Sequence, residues 1–159
     1  MNVINEKKLQ KIWDKIEKEY CFRSTYTEER YNWIELPKPY KKYRLQEIWS
    51  KEQEKLVNSF FEELIVDNLV ALDWQHDGFV FSPKEYDEID FEYYDKTRGC
   101  NVYFPTYYPN GDYFFFINQT FEIGLFGHPW LHEILVLGDN LIQKFDKNMN
   151  YLKLHEIQE

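Results

Sequence analysis

Three things are missing from this chain: a cysteine motif, an excess of positive charge, and a long apolar run. Cys21 and Cys100 stand far apart and form no C-x-x-C, which fits a reduced, cytosolic protein rather than a disulfide scaffold. Lys and Arg number 19 against 28 Asp and Glu, a formal net charge of -9, so no overall positive field is present to attract a nucleic-acid backbone. No apolar stretch approaches the length of a bilayer span, and residues 1–6 turn charged before any apolar run begins, unlike a signal peptide. The G-x-S-x-G elbow, the P-loop, the dinucleotide fingerprint and any internal repeat are also missing. The expectation is a cytoplasmic protein with no nucleic-acid or membrane partner and no cofactor, better suited to a basic protein partner. The sequence leaves the oligomeric state open.

What the chain has in abundance is aromatic surface, with 13 Tyr, 13 Phe and 5 Trp in 159 residues. That length fits one domain, residues 1–159, large enough to bury a core without disulfides or metal. Leu9, Ile12, Trp13, Ile16 and Tyr20 recur at helical spacing, which predicts an amphipathic helix ending near Tyr20. The stretch 23–44 lacks a clean period and reads as an extended surface connection pinned by Trp33 and Ile34. Its cations Lys38, Lys41, Lys42 and Arg44 are assigned to that exposed connection rather than to a nucleic-acid footprint. Ser50 and Gln53 form a capping box that opens a second helix, with Leu56, Val57, Phe60, Phe61, Leu64 and Ile65 as its apolar face.

After Asp67 and Asn68 the period becomes two. Val70, Leu72, Trp74 and His76 alternate with Ala71, Asp73 and Gln75, and Asp77-Gly78 predicts a two-residue turn into Phe79-Val80-Phe81. The acidic piece 85–95 reads either as a short edge strand or as a loop. Asn110-Gly111 predicts a type I′ hairpin between 102–108 and 113–117, the latter apolar on both faces and therefore central. Strands over 121–126 and around Ile134, Val136 and Leu137 follow, with Gly124 and Gly127 marking a bulged strand end. Asp139 then caps a final helix bearing Ile142, Phe145 and Met149. The whole predicts an α+β domain: two N-terminal helices, an antiparallel meander of five or six strands, and a C-terminal helix packed on one sheet face. The other face, left open, would be an aromatic interaction surface.

The runs Ala71-Leu72-Asp73-Trp74-Gln75-His76, Pro109-Asn110-Gly111-Asp112-Tyr113 and Phe126-Gly127-His128-Pro129-Trp130, in this order and spacing, resemble the bacterial family catalogued as domain of unknown function 2716. The resemblance covers nearly the whole chain and departs in the acidic, tyrosine-rich segment before Cys100. It implies a fold and a cytosolic location but no chemistry, so function must come from a site.

The candidate catalytic residues are His76, His128, Asp73 and Asp112, polar residues set in apolar, turn-bounded motifs. They would serve a small metal-dependent or acid-base hydrolase centred on His76, His128 and Asp112. Each also has a structural reading, as a turn-bonding Asp or a hydrogen-bonded His. His128 and His132 are weaker metal ligands, because Pro129 and the β pattern deny them the helix that aligns i and i+4. Trp74, Tyr113 and Trp130 are candidates for a small-ligand platform, set against the ordinary fate of aromatic stripes in a core. The leading expectation is a non-enzymatic protein-binding domain with an acidic, aromatic surface, of the immunity type that covers a basic toxin.

Overall fold

The computed structural model describes residues 1–24 and 32–158. Part of the predicted 23–44 connection, residues 25–31, lies outside these. The elements are β1 (Asn2–Val3), α1 (Glu6–Tyr20), β2 (Tyr40–Leu45), α2 (Lys51–Leu64), β3 (Leu69–Asp73), β4 (Gly78–Phe81), a short 3-10 helix (Pro83–Glu88), β5 (Glu92–Asp95), β6 (Cys100–Tyr103), β7 (Phe114–Asn118), β8 (Gly124–His128), β9 (Glu133–Leu137), α3 (Asp139–Lys147) and β10 (Leu154–Ile157). This is an α+β architecture with a large antiparallel sheet and a helix near the C-terminus. Among the described residues, no helix is long and apolar enough to cross a membrane.

Eight strands make the main sheet in the order β1-β4-β3-β7-β8-β9-β2-β10, every neighbour antiparallel, and β5 and β6 form a separate ribbon. Strand alternation splits the core in two. On one face Val70, Leu72, Phe115, Ile117 and Leu135 meet Trp13, Ile16 and Tyr20 of α1 and the pinned Trp33 and Ile34. On the other, Ala71, Phe79, Phe116 and Val136 meet Val57 and Phe61 of α2 and Leu141 and Phe145 of α3. The expected open aromatic face is therefore covered, since the helices divide between the two faces.

The sheet has eight strands rather than five or six, because three segments, β1, β2 and β10, pair where none was expected. Residues 40–45 are an inner strand, not a surface connection. The charges that suggested exposure are matched by acids brought from far along the chain: Lys41 Nζ lies 2.9 Å from Asp146 and 3.3 Å from Glu156, and Arg44 2.8 Å from Glu133. The other added strands are β1, which pairs with β4, and β10, which follows α3 and pairs with β2.

The Asn110-Gly111 hairpin does not form. β6 pairs with β5, while β7 pairs with β3 and β8, as its two apolar faces predicted. The backbone N–H of Tyr107, which a hairpin ladder would have used, donates instead to the Glu54 carboxylate of α2 at 2.7 Å, and the Tyr108 N–H joins it at 2.8 Å. The predicted Asp77-Gly78 turn is longer: Leu72 pairs with Gly78, so residues 73–77 form the connection. Gly78 serves close packing instead, since a Cβ there would stand 2.5 Å from the Leu9 side chain of α1 and push it aside.

Gly124 and Gly127 sit in a regular ladder, not a bulge, and a Cβ on Gly127 would meet Pro109 at 2.6 Å. Ser50 and Gln53 make the capping box. α3 is capped by Gly138 at φ 99°, with Asp139 in its first turn.

Candidate functional site

Asp73 ends β3, Asp112 and Tyr113 lead into β7, and His128 ends β8. Antiparallel pairing brings these three chain segments to the same end of the sheet. The turn after Asp73, residues 74–77, folds His76 back, its N–H donating to the Asp73 carbonyl at 3.2 Å.

Three of the four predicted catalytic residues converge. One ligand atom each from Asp73, His76 and Asp112 lies within 4.8 Å of the others. Both carboxylates are buried, whereas the His76 side chain is 57% exposed. His76 Nδ1 stands 3.0 Å from Asp73 Oδ2, and Asp112 Oδ1 accepts the Tyr113 N–H at 2.7 Å. Burial pushes the Asp73 carboxyl up, against the pull of His76, and the Asp112 charge adds to the rise. The Asp73 hydrogen bond in turn raises the His76 imidazole.

This arrangement holds a proton between a carboxylate and an imidazole, or receives a cation among three donors. A zinc ion with ligands at about 2.1 Å would draw such donors to roughly 3.4 Å apart, so binding needs a small contraction. Asp73→Asn should lower the His76 titration midpoint toward the ordinary histidine value, as read from the imidazole proton shifts in an NMR pH titration. An unchanged midpoint would mean that the pair does not share its proton.

His128 stands apart from this cluster and is 1% exposed. Its Nδ1 accepts the Leu131 N–H at 3.2 Å, so the neutral ring carries its proton on Nε2, 3.2 Å from the Tyr113 hydroxyl. Rings of Trp33, Tyr113 and Trp130 surround it at 5.1, 4.7 and 5.8 Å. Burial pulls its pKa down to about 4. This geometry is that of a structural histidine. His132 lies beyond the strand end in a left-handed turn, with φ 50°, and does not join the three-residue group. The predicted platform exists as ring contacts, Tyr113 with Trp74 at 5.8 Å and with Trp130 at 5.3 Å. Tyr113 is buried at its centre, so the exposed aromatic there is Trp130.

Next to this end of the sheet lies the β5–β6 ribbon. Arg98 at its tip reaches Asp77 of the β3–β4 turn at 2.7 Å and Asp95 at 2.8 Å. Tyr93 and Val102 face inward, while Glu92, Tyr94, Asn101 and Tyr103 face out. Tyr94 is 60% and Tyr103 46% exposed. Glu92 shares the outer face with these exposed phenols, whereas Asp95 alternates to the other face and, with Asp77, is held by Arg98. The anchor Arg98 and the exposed tyrosines were not anticipated from the sequence, although the alternation in Glu92-Tyr93-Tyr94-Asp95 carried the signal.

A family model described as protein of unknown function (DUF2716) matches residues 3–142. The uncharacterized protein YxiI of Bacillus subtilis (strain 168) is 40% identical over 82 residues, which are 52% of this chain and 46% of that protein. The chain therefore spans less than half the length of that relative. No solved structure matches.

Proposed function

We propose a function for a chain that belongs to the DUF2716 family, proteins of unknown function: it is a non-enzymatic protein-binding domain whose acidic, aromatic end engages a basic partner. The observation that carries this reading is the outward pair Tyr94 and Tyr103 beside Glu92 on a ribbon clasped to the sheet by Arg98. Tyrosine supplies contact area at low entropic cost and is enriched at interfaces, and a carboxylate beside it helps steer a cationic surface into register. A net charge of -9 acts in the same direction. An immunity-type protein, which blunts a toxin by covering its basic surface, is the form of this role that suits the charge. The protein would act in the cytoplasm.

The test is capture of partners by the purified chain from cells that carry its gene, in about 50 mM and about 500 mM salt, beside the variant Glu92→Lys/Tyr94→Ala/Tyr103→Ala. A partner held at low salt and lost from the variant supports the reading; affinity should fall by roughly a hundredfold, in keeping with truncated aromatic anchors. No captured protein, or one held equally by the variant at both salt concentrations, overturns it.

The convergence of Asp73, His76 and Asp112 favours a second reading, a metal-dependent or acid-base hydrolase at that cluster, with His128 outside it. It requires His76→Ala and Asp112→Asn each to abolish zinc or manganese uptake in a calorimetric titration, or turnover of a model ester, with little change in melting temperature. Wild-type protein inert to both metals and esters would remove it.

A further inference from the structure

Between the start of α2, the 3-10 helix and the loop before Asn110 lies a cleft of about 510 Å³ that belongs to neither the carboxylate cluster nor the acidic ribbon. That size is within the range of small-molecule sites. Two aromatic pairs line it: Trp49 with Tyr108, rings 6.0 Å apart, and Tyr86 with Phe91, rings 5.5 Å apart. Two cations line it as well, Lys51 and Lys55, on a protein that is otherwise strongly acidic. Lys55 is paired with Asp87 at 3.0 Å, but both side chains are largely exposed, so this pair is easily exchanged. Lys51 is the first residue of α2, where the helix dipole also favours an anion. Glu54 is the remaining acid in the lining; its two oxygens are turned to the backbone of Tyr107 and Tyr108.

We propose that this cleft binds a small aromatic anion, an aryl carboxylate or sulfonate by chemistry, its ring seated between the two aromatic pairs and its charge held by Lys51 and Lys55. The apolar walls supply the binding energy and the lysines select the charge. This site is independent of the protein-binding reading, and neither depends on the other.

The experiment uses the full chain and 1-anilinonaphthalene-8-sulfonate as probe, followed by probe emission and by energy transfer from tryptophan at a temperature well below melting. Saturable one-to-one binding is expected. Lys51→Glu/Lys55→Glu should weaken it at least tenfold, while Lys7→Glu/Lys11→Glu, a matched charge change on α1 across the sheet, should leave it unchanged. Amide shifts in the NMR spectrum should cluster at Trp49, Glu54 and Tyr108. The proposal fails if the probe does not saturate, if it lights up only as the chain melts, or if the Lys51/Lys55 variant binds as well as Lys7→Glu/Lys11→Glu.

Discussion

Phe115→Ala and Phe116→Ala should each cost about 3–5 kcal/mol of folding stability, although the two side chains are neighbours in sequence and share no core. Both are fully buried on β7, the strand between β3 and β8. Phe115 meets rings of Phe22 and Phe126 at 5.1 Å and of Trp13 at 5.6 Å on the α1 face. Phe116 meets Tyr107 at 4.3 Å and Phe81 at 6.3 Å on the α2 face. Each truncation leaves a cavity walled by aromatic rings, which are too rigid to collapse into it. Against a typical total of about 5–15 kcal/mol, either variant becomes marginal and the double variant should not fold. Urea unfolding midpoints measure this directly. A loss below about 1 kcal/mol for Phe115→Ala would mean that α1 and the Trp33 segment do not close their face of the sheet.

The second large effect is a cancellation that single substitutions should expose. Burial pushes the Glu54 carboxyl up to about 7, against the pull of the Tyr107 and Tyr108 amides. The folded chain therefore holds this proton where the unfolded chain has released it, and stability falls as pH rises from about 4.5 to 7. His128 acts oppositely. Its folded pKa of about 4 lies below the unfolded value near 6.5, so its contribution is present above 6.5 and is lost as pH falls toward 4. Each shift is roughly two and a half units, or about 3 kcal/mol, with opposite sign and overlapping range.

The contributions of these two groups nearly cancel between pH 4.5 and 6.5. Relative to the wild type, Glu54→Gln should tilt the stability profile upward with pH in this interval, and His128→Asn should tilt it downward. Urea midpoints at pH 4.5, 5.5, 6.5 and 7.5 give the slopes. Parallel profiles for both variants would show that these groups do not titrate as their burial implies. Glu54→Ala has a further cost at every pH, about 2–4 kcal/mol, because two buried amides lose their acceptor.

Glu54 also explains why part of the fold was hidden from the sequence. The capping box and the 3.6-residue periodicity made α1 and α2 legible, and the doubly apolar run 114–117 identified a central strand, since all three signals are local. The Asn110-Gly111 hairpin failed for a non-local reason: a carboxylate from α2 takes the Tyr107 amide that the hairpin needed. Glu54 and Asn58 fall at the same three- and four-residue steps as Val57 and Phe61, so the helical wheel already placed two polar groups on the inner face. Asn58 Oδ1 accepts from the Tyr107 hydroxyl at 2.8 Å, completing that contact.

Strand β2 was hidden by its own charges, whose partners lie a hundred residues away. At the sheet end, Asp73, Asp112 and His128 gave one sequence signal, polar residues interrupting apolar strands. Burial and tautomer separate them: the carboxylates face an exposed imidazole, while His128 is enclosed by rings. The exposed tyrosines of the ribbon went unmarked because alternation alone does not say which face is out.

Strand β2 has a further consequence during synthesis. Arg44 and its partner Glu133 are 89 residues apart, and β10 emerges later still. At about 5–20 residues per second, the ribosome needs roughly 5 to 20 seconds to deliver β9 after β2 has been made. For that interval Tyr43, Leu45 and both hydrogen-bonding edges of β2 stand without their final neighbours. Until β9 and β10 arrive that strand is unpaired, and the lysines and arginine of Tyr40–Leu45 are the charges that oppose edge-to-edge pairing with another copy.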